Sequence, residues 1–195
     1  MSESWDDYAD GWDTNEAVVS YSKKAYQSLL NVVDLKGRKV LDFGCGTGLL
    51  TEKVSDQASL VVAIDPPEKM ISVLTGKCLS NVHAIANGLT QELIGNNEEL
   101  LSGFDIIVAS SSLAFVPDYQ KTLKLLRSLL KTGGLLIQWD WLAEDEESRA
   151  GFSRKIIENV MKQAGFSKIS TSVPFSMEST DSSMKVVMGV AENVR

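Results

Sequence analysis

The stretch KVLDFGCGTGLLTEKV, which begins at Lys39, constrains the fold more than any other part of the chain. An apolar run ends in Asp42, glycines follow at Gly44, Gly46 and Gly48, and a helical pattern takes over at Leu49. Glycine reaches positive φ at little cost and lets backbone approach a ligand closely, because it carries no side chain. A strand, a glycine turn and a helix in that order open the ligand end of an α/β sheet, beyond the carboxyl ends of its strands. The spacing argues against a dinucleotide: in the fingerprint G-x-G-x-x-G the third glycine would fall at Leu49, and Asp42 would sit poorly beside a pyrophosphate. The acid fits better near a cationic group. A second acid, Asp65, closes the next apolar run in VVAIDPPEKM, where a carboxylate can accept hydrogen bonds from both hydroxyls of a ribose. The ligand so described has a ribose, a positive charge and no pyrophosphate.

Strand and helix patterns alternate through the rest of the chain. The runs KVLDFG, SLVVAID, VHAIA, FDIIVAS and LLIQWDW are too short for buried helices and rich enough in β-branched residues to be strands. A first helix is predicted over residues 14 to 33, with Val18, Ala25, Leu29 and Val32 on one face and Asp13 with Glu16 in capping-box spacing. A second is predicted from Asp118 as N-cap through Leu123, Leu126 and Leu130 to Gly133 near its end, and a third carries Phe152, Ile156, Val160 and Ala164 and stops at Gly165. Strands alternating with helices imply a parallel sheet covered on both faces. The final strands, KISTSV and KVVMGVA, have no helix between them, so one runs antiparallel at or near the edge.

Taken together, these motifs resemble the class I S-adenosylmethionine-dependent methyltransferases, in particular the small-molecule enzymes related to those of quinone biosynthesis. The resemblance extends from WDDYADGWD through VLDFGCGTG, AIDPPEKM and FDIIVASSSLAFVPD to LLKTGGLLIQWDW. It implies an α/β fold: a Rossmann-like, doubly wound, mostly parallel seven-stranded sheet with helices on both faces and the last strand antiparallel. The chain is then one methyltransferase domain, with a cap segment and helix over 1–33 and a cofactor-binding core over 38–195. The implied cofactor is S-adenosylmethionine and the implied partner a small-molecule methyl acceptor. By the resemblance, Gly44, Cys45, Gly46 and Gly48 cradle the methionine part, with Asp42 near its charge, Asp65 binds the ribose, and Pro66 is a further cofactor-binding residue. Met70, Asn87 and Gly88 take the adenine end, Ser110 lines the methyl-donor site, and Tyr8 and Trp12 lie over the cofactor.

This chain departs from the family pattern at two places. Asn87 stands where relatives often have an acid, and Ala114 where many have a histidine. The one histidine, His83, lies within a strand and reads as structural, so Asp140 is the candidate for a catalytic base. A binding protein that keeps the fold without catalysis, acting as a partner or regulator, is the rival reading. Trp139 and Trp141 share one side of their strand with Asp140 on the other, and either core packing or the substrate mouth accounts for them. The prolines of DPP shape the start of the next helix, and the run EDEES from Glu144 reads as a solvated helix start. Aromatic residues in the acidic leader WDDYADGWD either cover a desolvated cation or staple the first helix. The acceptor is expected between that leader, the loop after Val116, residues 141 to 150 and the final hairpin.

Composition bounds the partners. A net charge of -7, from 26 acids against 19 Lys and Arg, has the wrong sign for binding nucleic acid through phosphates. No signal-peptide pattern and no apolar run of transmembrane length occur, and Cys45 and Cys78 read as reduced thiols; a cytoplasmic protein without membrane or metal partners is expected.

Overall fold

The computed structural model describes residues 5–143, 151–178 and 183–194. All five apolar runs form strands: β1 (Lys39–Phe43), β2 (Leu60–Asp65), β3 (Val82–Ala86), β4 (Phe104–Ser110) and β5 (Leu130–Trp141). With β6 (Ser167–Glu178) and β7 (Ser183–Glu192) they make one seven-stranded sheet in the order β3-β2-β1-β4-β5-β7-β6. The first five pair in parallel, and β7 runs antiparallel to both β5 and β6. The last strand is therefore the antiparallel one, one place in from the edge.

The helices are α1 (Ala9–Trp12), α2 (Glu16–Leu30), α3 (Leu49–Ser55), α4 (Glu68–Gly76), α5 (Gln91–Gly95), α6 (Glu98–Leu101), α7 (Tyr119–Leu129) and α8 (Arg154–Gln163). Because side chains alternate across a strand, β4 sends Ile107 and Ala109 to one face and Ile106 and Val108 to the other. The first face packs with Leu123 and Leu126 of α7 and Ile157 and Met161 of α8. The second packs with Ala25 and Leu29 of α2 and Leu50 and Val54 of α3. Helix α2 therefore shares the second core with the sheet, although it precedes the glycine turn in the chain.

Local boundaries differ from the sequence pattern in four places, each with a physical reason. Asn15, not Asp13, caps α2: its Oδ1 accepts from Ala17 N at 3.0 Å. Helix α7 begins after Asp118 as expected but ends at Leu129, and Leu130 is already extended (φ -81°, ψ 138°) and paired with Phe104. Leu130 is buried from a strand, so the leucine spacing runs across two elements. On α8 the fully buried residues are Ile157 and Met161, one position round from the expected Ile156 and Val160. Strand β6 runs through Pro174, which has no N–H to give a ladder. It lies at the sheet edge, and a register shift between Ser172 and Phe175 absorbs the proline.

Candidate active site

A cavity of about 750 Å³ opens at the carboxyl ends of the parallel strands, where the strand order reverses between β1 and β4. The glycine turn forms its floor. Gly44 N and Cys45 N donate to Ile64 O at 2.8 and 3.3 Å, tying the turn to β2, and Gly48 N closes it on Cys45 O at 2.9 Å. All three glycines have positive φ, of 71°, 55° and 83°, but they meet different neighbours. A Cβ on Gly44 would lie 2.2 Å from Ser112 Cβ, and one on Gly48 would lie 2.3 Å from Leu74 Cδ1. A Cβ on Gly46 would meet only Trp12 Nε1, at 3.8 Å. The outer glycines are thus packing positions, and the middle one faces open space under an indole.

Two acids flank the turn. Asp65 Oδ2 accepts from Gly46 N at 2.7 Å, which fixes the carboxylate at the cavity wall and leaves it further acceptor capacity. Burial raises its pKa, against the lowering effect of that hydrogen bond. Asp42 is almost wholly buried and accepts from Thr51 Oγ1 at 2.6 Å. Burial pushes its pKa up to about 7, opposed by the Thr51 hydroxyl and reinforced by the charge of Asp65.

A raised carboxyl pKa means that the folded chain holds the proton more tightly than the unfolded chain. That contribution to stability is complete below about pH 4 and is lost as pH rises through about 7. Melting temperatures of Asp42→Asn should therefore fall less than those of the parent chain between about pH 4 and 7. Identical slopes would place the titration elsewhere. A cation entering the cavity favours the carboxylate form of Asp42, so affinity for a cationic ligand should rise with pH over the same range, and affinity for its neutral analogue should not.

The leader folds back over the turn, and its acids hold it there. Asp13 Oδ1 accepts from Thr47 Oγ1 at 2.5 Å and Asp13 Oδ2 pairs with Lys77 Nζ at 2.9 Å, while Asp6 Oδ1 accepts from Lys69 N at 2.8 Å in the first turn of α4. These anchors place the Trp12 indole beside Gly46. Trp5 stacks edge-on against Trp12 at 6.0 Å and against Phe115, from the loop after β4, at 5.1 Å. Tyr8 packs on the outside of this cluster, 6.3 Å from the Trp12 ring, and it is Trp5 that lines the cavity. The sequence pattern singled out Tyr8 and missed Trp5; nothing in the leader's spacing separates the two.

Of the other residues expected at the site, Cys45, Pro66, Met70, Asn87, Gly88 and Ser110 all line the cavity. Asp140 does not. It is buried on the α7 side of β5, where its Oδ2 accepts from Gln138 Nε2 at 3.0 Å and Gln138 Oε1 accepts from Tyr119 Oη at 2.6 Å. Burial raises its pKa to about 8, against the lowering hydrogen bonds from Gln138 and the Ala114 backbone. His83 lies half exposed on β3 beside Glu99, away from the cavity. The two tryptophans of β5 divide: Trp139 is core, its Nε1 donating to Ser28 Oγ at 2.8 Å, and Trp141 lines the cavity. The acidic run from Glu144 lies outside the described residues. Among the described residues no cluster of His, Cys, Asp and Glu could hold a metal, and no helix is long and apolar enough to cross a membrane.

A family described as "Methyltransferase domain" matches residues 19–171. Among curated relatives, the ubiquinone biosynthesis O-methyltransferase of Coxiella burnetii is 35% identical over 108 residues, which is 53% of this chain and 44% of that one. The match spans less than half of that relative's length. Among solved structures, a complex of DhpI with SAH has a TM-score of 0.70 at 18% identity, covering 97% of this chain and 93% of that one. The magnesium protoporphyrin IX methyltransferase of Synechocystis, solved with bound SAM, has a TM-score of 0.66 at 21% identity, covering 91% of this chain and 81% of that one. The structural likenesses carry the fold, the family match carries the lineage, and the chain belongs to the methyltransferase domain family, of the class I S-adenosylmethionine-dependent type.

Proposed function

We propose that the chain binds S-adenosylmethionine across the Gly44–Gly48 turn and transfers its methyl group to a small-molecule acceptor. One observation carries the reading: Asp65 is bonded to Gly46 N at the wall of a cavity whose floor is open at Gly46 and covered by the Trp12 indole. A carboxylate for ribose hydroxyls, a backbone floor for the amino-acid part and an aromatic face for a cation are what such a cofactor needs. When bound, the cofactor supplies an electrophilic methyl carbon on a sulfonium.

The chain's own residues then align and enclose the reactants, which is where most of the acceleration of an in-line displacement can come from. Asp65 orients the ribose, Met70 with Asn87 and Gly88 bounds the adenine end, and the Trp5–Phe115 contact joins the leader to the loop after β4 at the cavity wall. Asp140 lies off the cavity and is tied through Gln138 to Tyr119 at the start of α7. Oxygen is the accepting atom favoured by the relative named an O-methyltransferase.

Methyl-labelled cofactor incubated with a metabolite extract tests the reading. Label should appear in a small molecule with the parent chain, and about tenfold or more slowly with Asp65→Ala at subsaturating cofactor. Cofactor binding without any labelled product would instead support the non-catalytic partner.

A further inference from the structure

The cavity extends past the residues assigned to the cofactor, and the chemistry of that second pole is distinct. Its walls are Val18 and Tyr21 of α2, Trp141 of β5, Met177 of β6, and the Trp5–Phe115 pair. No Lys, Arg or His is among the described residues lining the cavity. The nearby Lys24 does not line the cavity; its ammonium donates to Ser176 O at 2.6 Å and lies 6.0 Å from the centre of the Phe175 ring. Acids occur at Asp42 and Asp65 on the cofactor side and at Glu178 on the rim, where Glu178 is exposed and accepts from Ser183 Oγ at 2.7 Å.

Against this apolar wall stand two unsatisfied hydroxyls. Tyr21 Oη and Ser22 Oγ are buried and have no hydrogen-bond partner among the described residues, although both residues line the cavity. The Tyr21 ring is fixed edge-on between Trp141, at 5.4 Å, and Phe175, at 5.3 Å. The hydroxyls of Ser110 and Ser111 lie close enough to its Oη to oppose the rise in its pKa, but neither completes a hydrogen bond of good geometry with it. Burial raises the phenol's pKa, so Tyr21 keeps its proton and acts as a donor. Buried polar groups are almost always satisfied, and an orphan beside a cavity points to a ligand atom.

Resting on the function proposed above, we infer that the acceptor is an uncharged, largely apolar compound that presents an oxygen to Tyr21 Oη and Ser22 Oγ. An anion would be desolvated there with no cation among the described residues to pair with. A cation would meet no acid among the described residues at that pole except Glu178, and would sit beside the sulfonium of the donor.

The test uses the protein loaded with S-adenosylhomocysteine and three probes of one shape: naphthol, naphthoate and naphthylmethylammonium, titrated near neutral pH. Naphthol should bind about tenfold or more tightly than either charged probe. Tyr21→Phe should weaken naphthol binding about fivefold, the worth of one neutral hydrogen bond, and leave S-adenosylhomocysteine binding unchanged. It should also melt no lower than the parent, because the hydroxyl it removes completes no hydrogen bond among the described residues; a lower melting temperature would indicate a structural hydroxyl and overturn the assignment of Tyr21. Naphthoate or the ammonium binding as well as naphthol, no naphthol binding, or naphthol affinity unchanged in Tyr21→Phe would each overturn the inference. Loss of S-adenosylhomocysteine binding by the parent chain would overturn the proposed function itself.

Discussion

Gly44→Ala is expected to lose about 2 to 5 kcal/mol of folding stability, combining the strain of a non-glycine residue at positive φ with overpacking against a well-filled neighbour. The new methyl would lie 2.2 Å from Ser112 Cβ and 3.6 Å from Ser112 Cα at a φ of 71°. Ser112 cannot retreat easily, because its Oγ donates to Phe43 O at 2.8 Å and so ties the end of β4 to the end of β1. Gly46→Ala in the same turn should lose only about 1 to 2 kcal/mol, the strain alone, since its Cβ would have no protein atom closer than Trp12 Nε1 at 3.8 Å. Denaturant titrations of the two variants check the contrast. Equal losses would mean that the turn yields as a unit and that the contact with Ser112 is not what requires glycine at position 44.

Asp65→Ala carries the second large effect, on binding rather than folding. It removes the carboxylate proposed for the ribose and should weaken cofactor affinity by about 1.5 to 3 kcal/mol, the range for hydrogen bonds that involve a charged group. It also releases Gly46 N, whose partner at 2.7 Å is Asp65 Oδ2, so part of the loss arises from a looser floor. Asp65→Asn separates the two contributions: its amide oxygen can still accept from Gly46 N, but the charge is gone. Calorimetry should therefore rank the parent chain above Asn and Asn above Ala. Equal affinity in all three would remove Asp65 from the site.

The parallel part of the sheet was legible because each strand is a short apolar run bounded by turn residues, and because the glycine turn marks where strand order reverses. The misplaced boundaries share a cause: local pattern does not say which of two partners a side chain will find. Leu130 continues the leucine spacing of α7, yet its backbone pairs with Phe104. Asp13 stands at capping distance from α2, yet its carboxylate is drawn to Thr47 and Lys77, and Asn15 takes the cap. The same limit applies at the site. Acid and glycine positions on strand ends could be read from spacing, because β1 and β2 deliver them to one edge. The Tyr21 and Ser22 hydroxyls could not, because α2 lies far from β5 and β6 in sequence and meets them only in the folded chain, through the second core and the Lys24–Ser176 and Trp139–Ser28 hydrogen bonds. Asp140 was recognisable as facing away from Trp139 and Trp141, but sequence alone does not tell a buried face from a substrate mouth.

The central claim is that the cavity is built for S-adenosylmethionine and not for a dinucleotide. Isothermal titration of the purified chain with S-adenosylhomocysteine and, separately, with NAD tests it most directly. The geometry predicts saturable binding of S-adenosylhomocysteine and none of NAD, since Leu49 replaces the third fingerprint glycine and Asp42 lies beneath the turn where a pyrophosphate would sit. Micromolar binding of NAD together with no binding of S-adenosylhomocysteine at millimolar concentration would contradict it.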